Sequence, residues 1–161
     1  MIGHLVYLDT FVPRDGDSMA SFAPMVVWVF RLQARRHGDG WRLDPPGRED
    51  FGVKQEPDRS WVRLSLTPQP LKTLVEPLRL SDPGIVSRFP RTHIHCTGRG
   101  RLVPLVQRLF MRKMLGGNQA GWRLRTLPAG HDCIITNPRE VADLLMEEVH
   151  RLPNEAERSP G

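Results

Sequence analysis

Apolar residues fall into a few short blocks divided by polar, Pro-rich and Gly-rich stretches, and the period inside each block predicts an element. Residues 5–8 read Leu-Val-Tyr-Leu and stop at Asp9-Thr10, the pattern of a strand covered on both faces and so of a central parallel strand. Residues 92–96, following Pro90, predict a second parallel strand. In residues 122–127, Trp122 and Leu124 alternate with Arg123 and Arg125 between Gly121 and Pro128, which predicts a third strand near the sheet edge.

Helical spacing takes over elsewhere. Met25, Val26, Val29, Phe30 and Leu32 mark an amphipathic helix over 23–36, with Pro24 tolerable in its first turn and Arg35, Arg36, His37 and Gly38 suited to its end. Leu102, Val106, Leu109, Phe110 and Met114 mark a helix over 102–115, stopped by Gly116-Gly117. Asn137-Pro138-Arg139-Glu140 combines a capping Asn, a Pro at the first helical position and a Glu at the third, and Val141, Leu144, Leu145 and Val149 continue as a stripe. Residues 39–57 read as a surface connection. Residues 58–66 and 70–76 predict two short helices divided by Thr67-Pro68-Gln69 and closed by Pro77. The order strand, helical insertion, strand, helix, strand, helix is that of an α/β domain. Its core is expected at 1–16 and 88–152, with a helical insertion at 17–87 in place of a sheet layer, and residues 153–161 lack the apolar content to fold.

Composition narrows the class. A chain of 161 residues fits one domain, and 39% hydrophobic with 25% charged residues is globular, while 15 Pro and 14 Gly predict many loops. The net charge of +5 is spread over scattered Arg with no basic run interleaved with aromatics, which argues against a nucleic-acid groove. Apolar runs such as 25–30 are too short to span a bilayer. Two Cys and no export signal suggest a reduced, cytoplasmic protein.

Candidate chemistry collects just past the strand ends, where open parallel sheets place their sites. His131 lies on the turn Leu127-Pro128-Ala129-Gly130-His131-Asp132 after the third strand, and Asp9 follows the first. An acid orienting an imidazole is one reading; a loop His with an unrelated surface Asp is the other. His93-Ile94-His95 has a spacing that metals use, with His131 as an imaginable third ligand, but the strand reads as interior and no metal is expected. Cys96 and Cys133 read as small buried residues ahead of thiol nucleophiles. Gly16-Asp17-Ser18-Met19-Ala20 approximates the G-x-S-x-G nucleophile elbow, yet Pro13 and polar residues separate it from the strand, so Ser18 reads as a turn or helix-opening residue.

Leu5-Val6-Tyr7-Leu8-Asp9-Thr10-Phe11-Val12-Pro13, the run from Trp61 through Thr67-Pro68-Gln69-Pro70, and Gly130-His131-Asp132 followed by Thr136-Asn137-Pro138 together resemble α/β-hydrolase-fold esterases, in particular the branch of salicylate-methylesterase-like proteins and hydroxynitrile lyases. The resemblance runs from about residue 2 to residue 151 and covers the family fold from its sixth strand onward. It implies a partial α/β-hydrolase fold whose last three parallel strands carry flanking helices, with residues 17–87 as a cap over the active site. It implies His131 as the general base, no cofactor, and a small apolar or aromatic ester as substrate. Phe11, Trp28 and Trp61 become candidates for the substrate pocket, alongside a plain core role for each. The usual place of the catalytic acid reads Thr97-Gly98-Arg99-Gly100, so Asp9 is the best acid candidate, as some members of the fold place it there.

The family's nucleophile elbow and oxyanion loop precede the sixth strand and have no match here. The expectation is a truncated or split enzyme, inactive alone, because a base without a nucleophile or oxyanion donors has nothing to activate. The strand at 5–8 would then expose an apolar edge for self-association or for a missing N-terminal segment. A non-catalytic binding module and a lyase on the same fold are the rival readings.

Overall fold

A computed structural model describes residues 2–45, 51–98 and 121–151. Three strands, β1 (Leu5–Leu8), β4 (Arg91–Cys96) and β5 (Trp122–Leu127), form one parallel sheet in the order β1-β4-β5. Leu8 pairs with Ile94, and Ile94 in turn with Arg125. Asp9 therefore leaves β1 beside His95, at the carboxyl edge of the sheet, while β4 continues against β5 to Cys96.

The expected central position falls to β4. Among the described residues β1 has a strand neighbour on one side only, and its four residues are half-buried, whereas Thr92, His93, Ile94 and Cys96 of β4 are buried. Among the described residues the third strand lies at the other edge, as expected, but the expected split into an exposed Arg face and a covered apolar one does not form: Arg123 and Arg125 turn toward buried Glu148 and Leu124 is exposed instead.

The core is small and sits on one face of the sheet. Ile94, Cys96, Leu127, Ala129, Cys133 and Val141 are buried together, with Val6, Leu8 and Leu144 packed around them. Val141 and Leu144 come from the long C-terminal helix Pro138–His150, which opens after Asn137 with Pro in its first turn as expected, although the Asn137 side chain makes no capping hydrogen bond to the helix and its amide donates to Glu140 Oε1 instead. On the same helix Glu148 is 2% exposed. Thr92 donates its hydroxyl to Glu148 Oε2 at 2.8 Å, His4 reaches the same Thr hydroxyl at 2.9 Å, and Arg123 and Arg125 approach the carboxylate at 3.4 and 3.5 Å. A charge buried this deeply is tolerable only with such partners.

The regular elements described between β1 and β4 are mainly helical: α1 (Met19–Phe22), α2 (Pro24–His37), α3 (Asp58–Ser65), α4 (Lys72–Val75) and a 3-10 turn at Ile85–Arg88. One departure from expectation is a small antiparallel ladder of β2 (Arg42–Leu43) with β3 (Gln69–Pro70). Pro70 thus ends a strand rather than opening a helix, and the predicted helix over 70–76 shortens to four residues; Pro lacks an N–H but can accept at a sheet edge. The helix predicted over 102–115 and the tail 153–161 lie outside the described residues.

Candidate active site

Asp9 leaves β1 with φ 44°, a left-handed conformation that Asp tolerates better than most side chains. Its N–H donates to the Ile94 carbonyl at 2.7 Å, which ties the turn to β4. The Cys96 N–H donates to Asp9 Oδ1 at 3.0 Å. The carboxylate is 6% exposed and lies among the strand ends.

His131 reaches the same point from the other side of the sheet. After Leu127 the chain turns tightly, with the Ala129 N–H on the Leu127 carbonyl at 2.9 Å and the Gly98 N–H on the Ala129 carbonyl at 2.9 Å. This turn is crossed by residues 51–52: the Asp132 N–H donates to the Phe51 carbonyl at 2.9 Å, and the Phe51 ring lies 5.3 Å from the imidazole of His131, centroid to centroid. Gly52 (φ 94°) and Gly130 touch, so closely that a Cβ on Gly52 would meet the Gly130 Cα at 2.9 Å.

The outcome is one hydrogen bond, from His131 Nδ1 to Asp9 Oδ2, at 2.8 Å. An ionised carboxylate only accepts, so this contact selects the tautomer with the proton on Nδ1 and leaves Nε2 as the lone-pair nitrogen. The His131 side chain is 33% exposed, so a base and its orienting acid stand at an accessible edge.

A second imidazole faces the same acid. His95 Nδ1 lies 3.3 Å from Asp9 Oδ1. His93, two residues earlier, instead sends Nε2 to the Thr10 carbonyl at 3.0 Å. Burial holds His93 below the usual imidazole range, with only partial offset from that hydrogen bond, so it sits neutral. Among the described residues no group of three His, Cys, Asp or Glu side chains is arranged to hold a metal ion.

The remaining candidates fall elsewhere. Cys96 and Cys133 are fully buried as free thiols, with their Sγ atoms 3.5 Å apart. Ser18 caps α1 in a reciprocal arrangement with Ser21, away from any strand-to-helix elbow. Phe11 is half-buried against Phe22, with ring centroids 6.0 Å apart, while Trp28 and Trp61 are 60% and 61% exposed. Sequence reasoning weighed His95 only as a metal ligand beside His93, not as a neighbour of Asp9, and overlooked Phe51. The place of His95 could have been found, because a residue near the end of the neighbouring parallel strand must lie beside Asp9; Phe51 sits in a Gly- and Pro-rich connection and carries no such local signal.

No family model matches the chain. It is 31% identical over 153 residues to the carbendazim-hydrolysing esterase of Nocardioides sp. (strain SG-4G), a match covering 89% of this chain and 60% of that one. It also superposes on an extracellular α/β-hydrolase from a Paenibacillus species, described as sharing structural and functional homology with tobacco salicylic acid binding protein 2. That match has a TM-score of 0.68 and 19% identity, and covers 91% of this chain and 61% of the other. The chain thus spans about three-fifths of the length of each.

Proposed function

We propose that this chain, which belongs to the α/β-hydrolase-fold family, carries the general base and the orienting acid of a carboxylic-ester hydrolase. The observation that supports this most is the 2.8 Å contact between His131 and Asp9 at the carboxyl edge of a parallel sheet. In this reading His131 Nε2 takes the proton of a serine hydroxyl as that oxygen attacks the ester carbonyl, then returns it to the leaving alcohol. Asp9 holds the ring and stabilises the imidazolium that forms between the two steps.

The chain contains no G-x-S-x-G, and its nearest approach, around Ser18, is occupied with capping a helix. The nucleophile and the oxyanion donors are therefore proposed to come from a segment outside these residues, with residues 17–87 acting as the cap. A small ester is the substrate class. Phe11, two residues beyond Asp9, is the best placed of the apolar candidates; Trp28 and Trp61 would need the rest of the assembly to cover them. The open side of β1 is the proposed seat of that assembly or of a second copy.

The test begins with the reading frame upstream of Met1 and an assay of the longest product on a chromogenic short-chain ester. An in-frame G-x-S-x-G and a turnover that falls by about 10³-fold or more in His131→Ala are expected. Equal turnover in His131→Ala, or hydrolysis by the 161-residue chain alone that survives that change, would sink the proposal. A titration of free thiols in protein taken from its own host addresses compartment: two reactive thiols after unfolding fit a reducing one, and a Cys96–Cys133 bridge would reject it.

A further inference from the structure

Asp9 faces two imidazoles, one at each carboxylate oxygen: His131 Nδ1 at 2.8 Å from Oδ2 and His95 Nδ1 at 3.3 Å from Oδ1. The proposed mechanism uses only the first. A carboxylate torsion is broad and nearly two-fold, so aiming one oxygen at His131 requires that the other be held. The Cys96 N–H holds Oδ1 from the strand end, and His95 lies against the same oxygen from the face of β4.

We propose that His95 is a positioning residue, whose ring nitrogen, at ion-pair distance from Oδ1, steadies the Asp9 carboxylate from the side opposite His131 and so the orientation of the catalytic base. The inference deepens the functional reading above and rests on it for its purpose, but not for its geometry. Three features set His95 apart from a surface histidine. Its backbone is locked in the central strand, paired through the register His95 to Thr126. Its side chain is 20% exposed, and the carboxylate it approaches is 6% exposed, so their attraction is weakly screened. Its neighbour two residues back, His93, is turned to a backbone carbonyl, so the two rings on one strand face divide between structure and site.

The arrangement also makes a demand on His95 itself. With Nδ1 toward an ionised oxygen, the neutral ring must carry its proton on Nδ1, because a lone pair aimed at a carboxylate is repelled. Nitrogen NMR of the histidine side chains in the full chain measures this directly. His95 and His131, assigned by single substitutions, are both expected as Nδ1–H tautomers at neutral pH. A His95 ring protonated on Nε2 alone would overturn the proposal.

Variants then separate positioning from mere packing. In His95→Leu the His131 Nδ1–H is expected to exchange with water about tenfold faster, the loss of one modest charge-assisted contact. His95→Asn, which can present an amide N–H near the position of Nδ1, is expected to restore most of the protection. Unchanged exchange in His95→Leu, or equal loss in the Asn and Leu variants, would reject the role of His95. Ester turnover is not a readout here, so an enzyme that fails to hydrolyse esters while His131 responds to His95 would fault the functional reading alone.

Discussion

Two buried carboxylates, Asp9 and Glu148, differ in the company they keep. Glu148, 2% exposed, is surrounded by the Thr92 hydroxyl, His4 and the guanidinium groups of Arg123 and Arg125. Two permanently charged guanidinium groups stand beside this carboxylate, and together they tie the C-terminal helix to the sheet. Asp9, 6% exposed, faces two imidazoles, His131 at 2.8 Å and His95 at 3.3 Å. The lesson is that burial of an acid alone does not single out a candidate site; Glu148 is held among guanidinium groups inside the fold, whereas Asp9 meets a partly exposed imidazole at the carboxyl edge of the sheet.

The sharpest way to break this contrast is to neutralise each acid in turn. Under the proposed function, Asp9→Asn is expected to lower the ester turnover of the longest expressed product by about 10⁴-fold with little change in unfolding, since an amide can favour the wrong tautomer of His131. An activity loss below tenfold would strip Asp9 of its role. Glu148→Ala should act in the opposite sense, costing about 1–3 kcal/mol of stability by leaving the buried Thr92 hydroxyl without its acceptor, while Arg125 keeps Glu147. Urea unfolding measures that loss, and a shift under about 1 kcal/mol would show that the cluster is solvated rather than buried.

Smaller changes sharpen the comparison. Gly52→Ala puts a Cβ against the Gly130 backbone at a residue of positive φ, and an expected cost of about 1–3 kcal/mol should appear with faster exchange of the Asp132 amide, while the Thr92–Glu148 contact is unaffected. Arg123→Gln removes a charge that is 42% exposed, so a change below about 1 kcal/mol is expected in thermal unfolding at moderate salt.

The gentlest effect is one of pH. Burial depresses the folded pKa of His93, so the unfolded chain takes up that proton first, near pH 6.5, and the folded chain only at lower pH. Its contribution to stability is fully present above about pH 6.5 and is lost as pH falls through the folded value. His93→Gln should flatten the stability profile over that window; an unaltered slope would assign the acid sensitivity to other groups.

Much of this molecule was legible because its signals are local. The alternation in Trp122 to Leu127, the run Leu5 to Leu8 and the Asn137-Pro138 helix opening each depend on a few consecutive residues, and the structure forms all three elements. The short ladder at Arg42–Leu43 and Gln69–Pro70 was not legible, because two-residue strands have too little period to detect and Pro70 argues for a break.

The candidate site divides along the same line. From the sequence alone came His131 on a tight turn past a strand, Asp9 at the end of another, and the expectation that parallel strands bring such ends to one edge. Tertiary structure alone decided that their atoms meet at 2.8 Å across 122 positions, that His95 stands at the second oxygen, and that Phe51 and Gly52 press on the turn of His131. The physical reason is that a strand or a cap is fixed by the torsions and faces of adjacent residues. A carboxylate's partners are fixed by strand order and register, which no local pattern encodes.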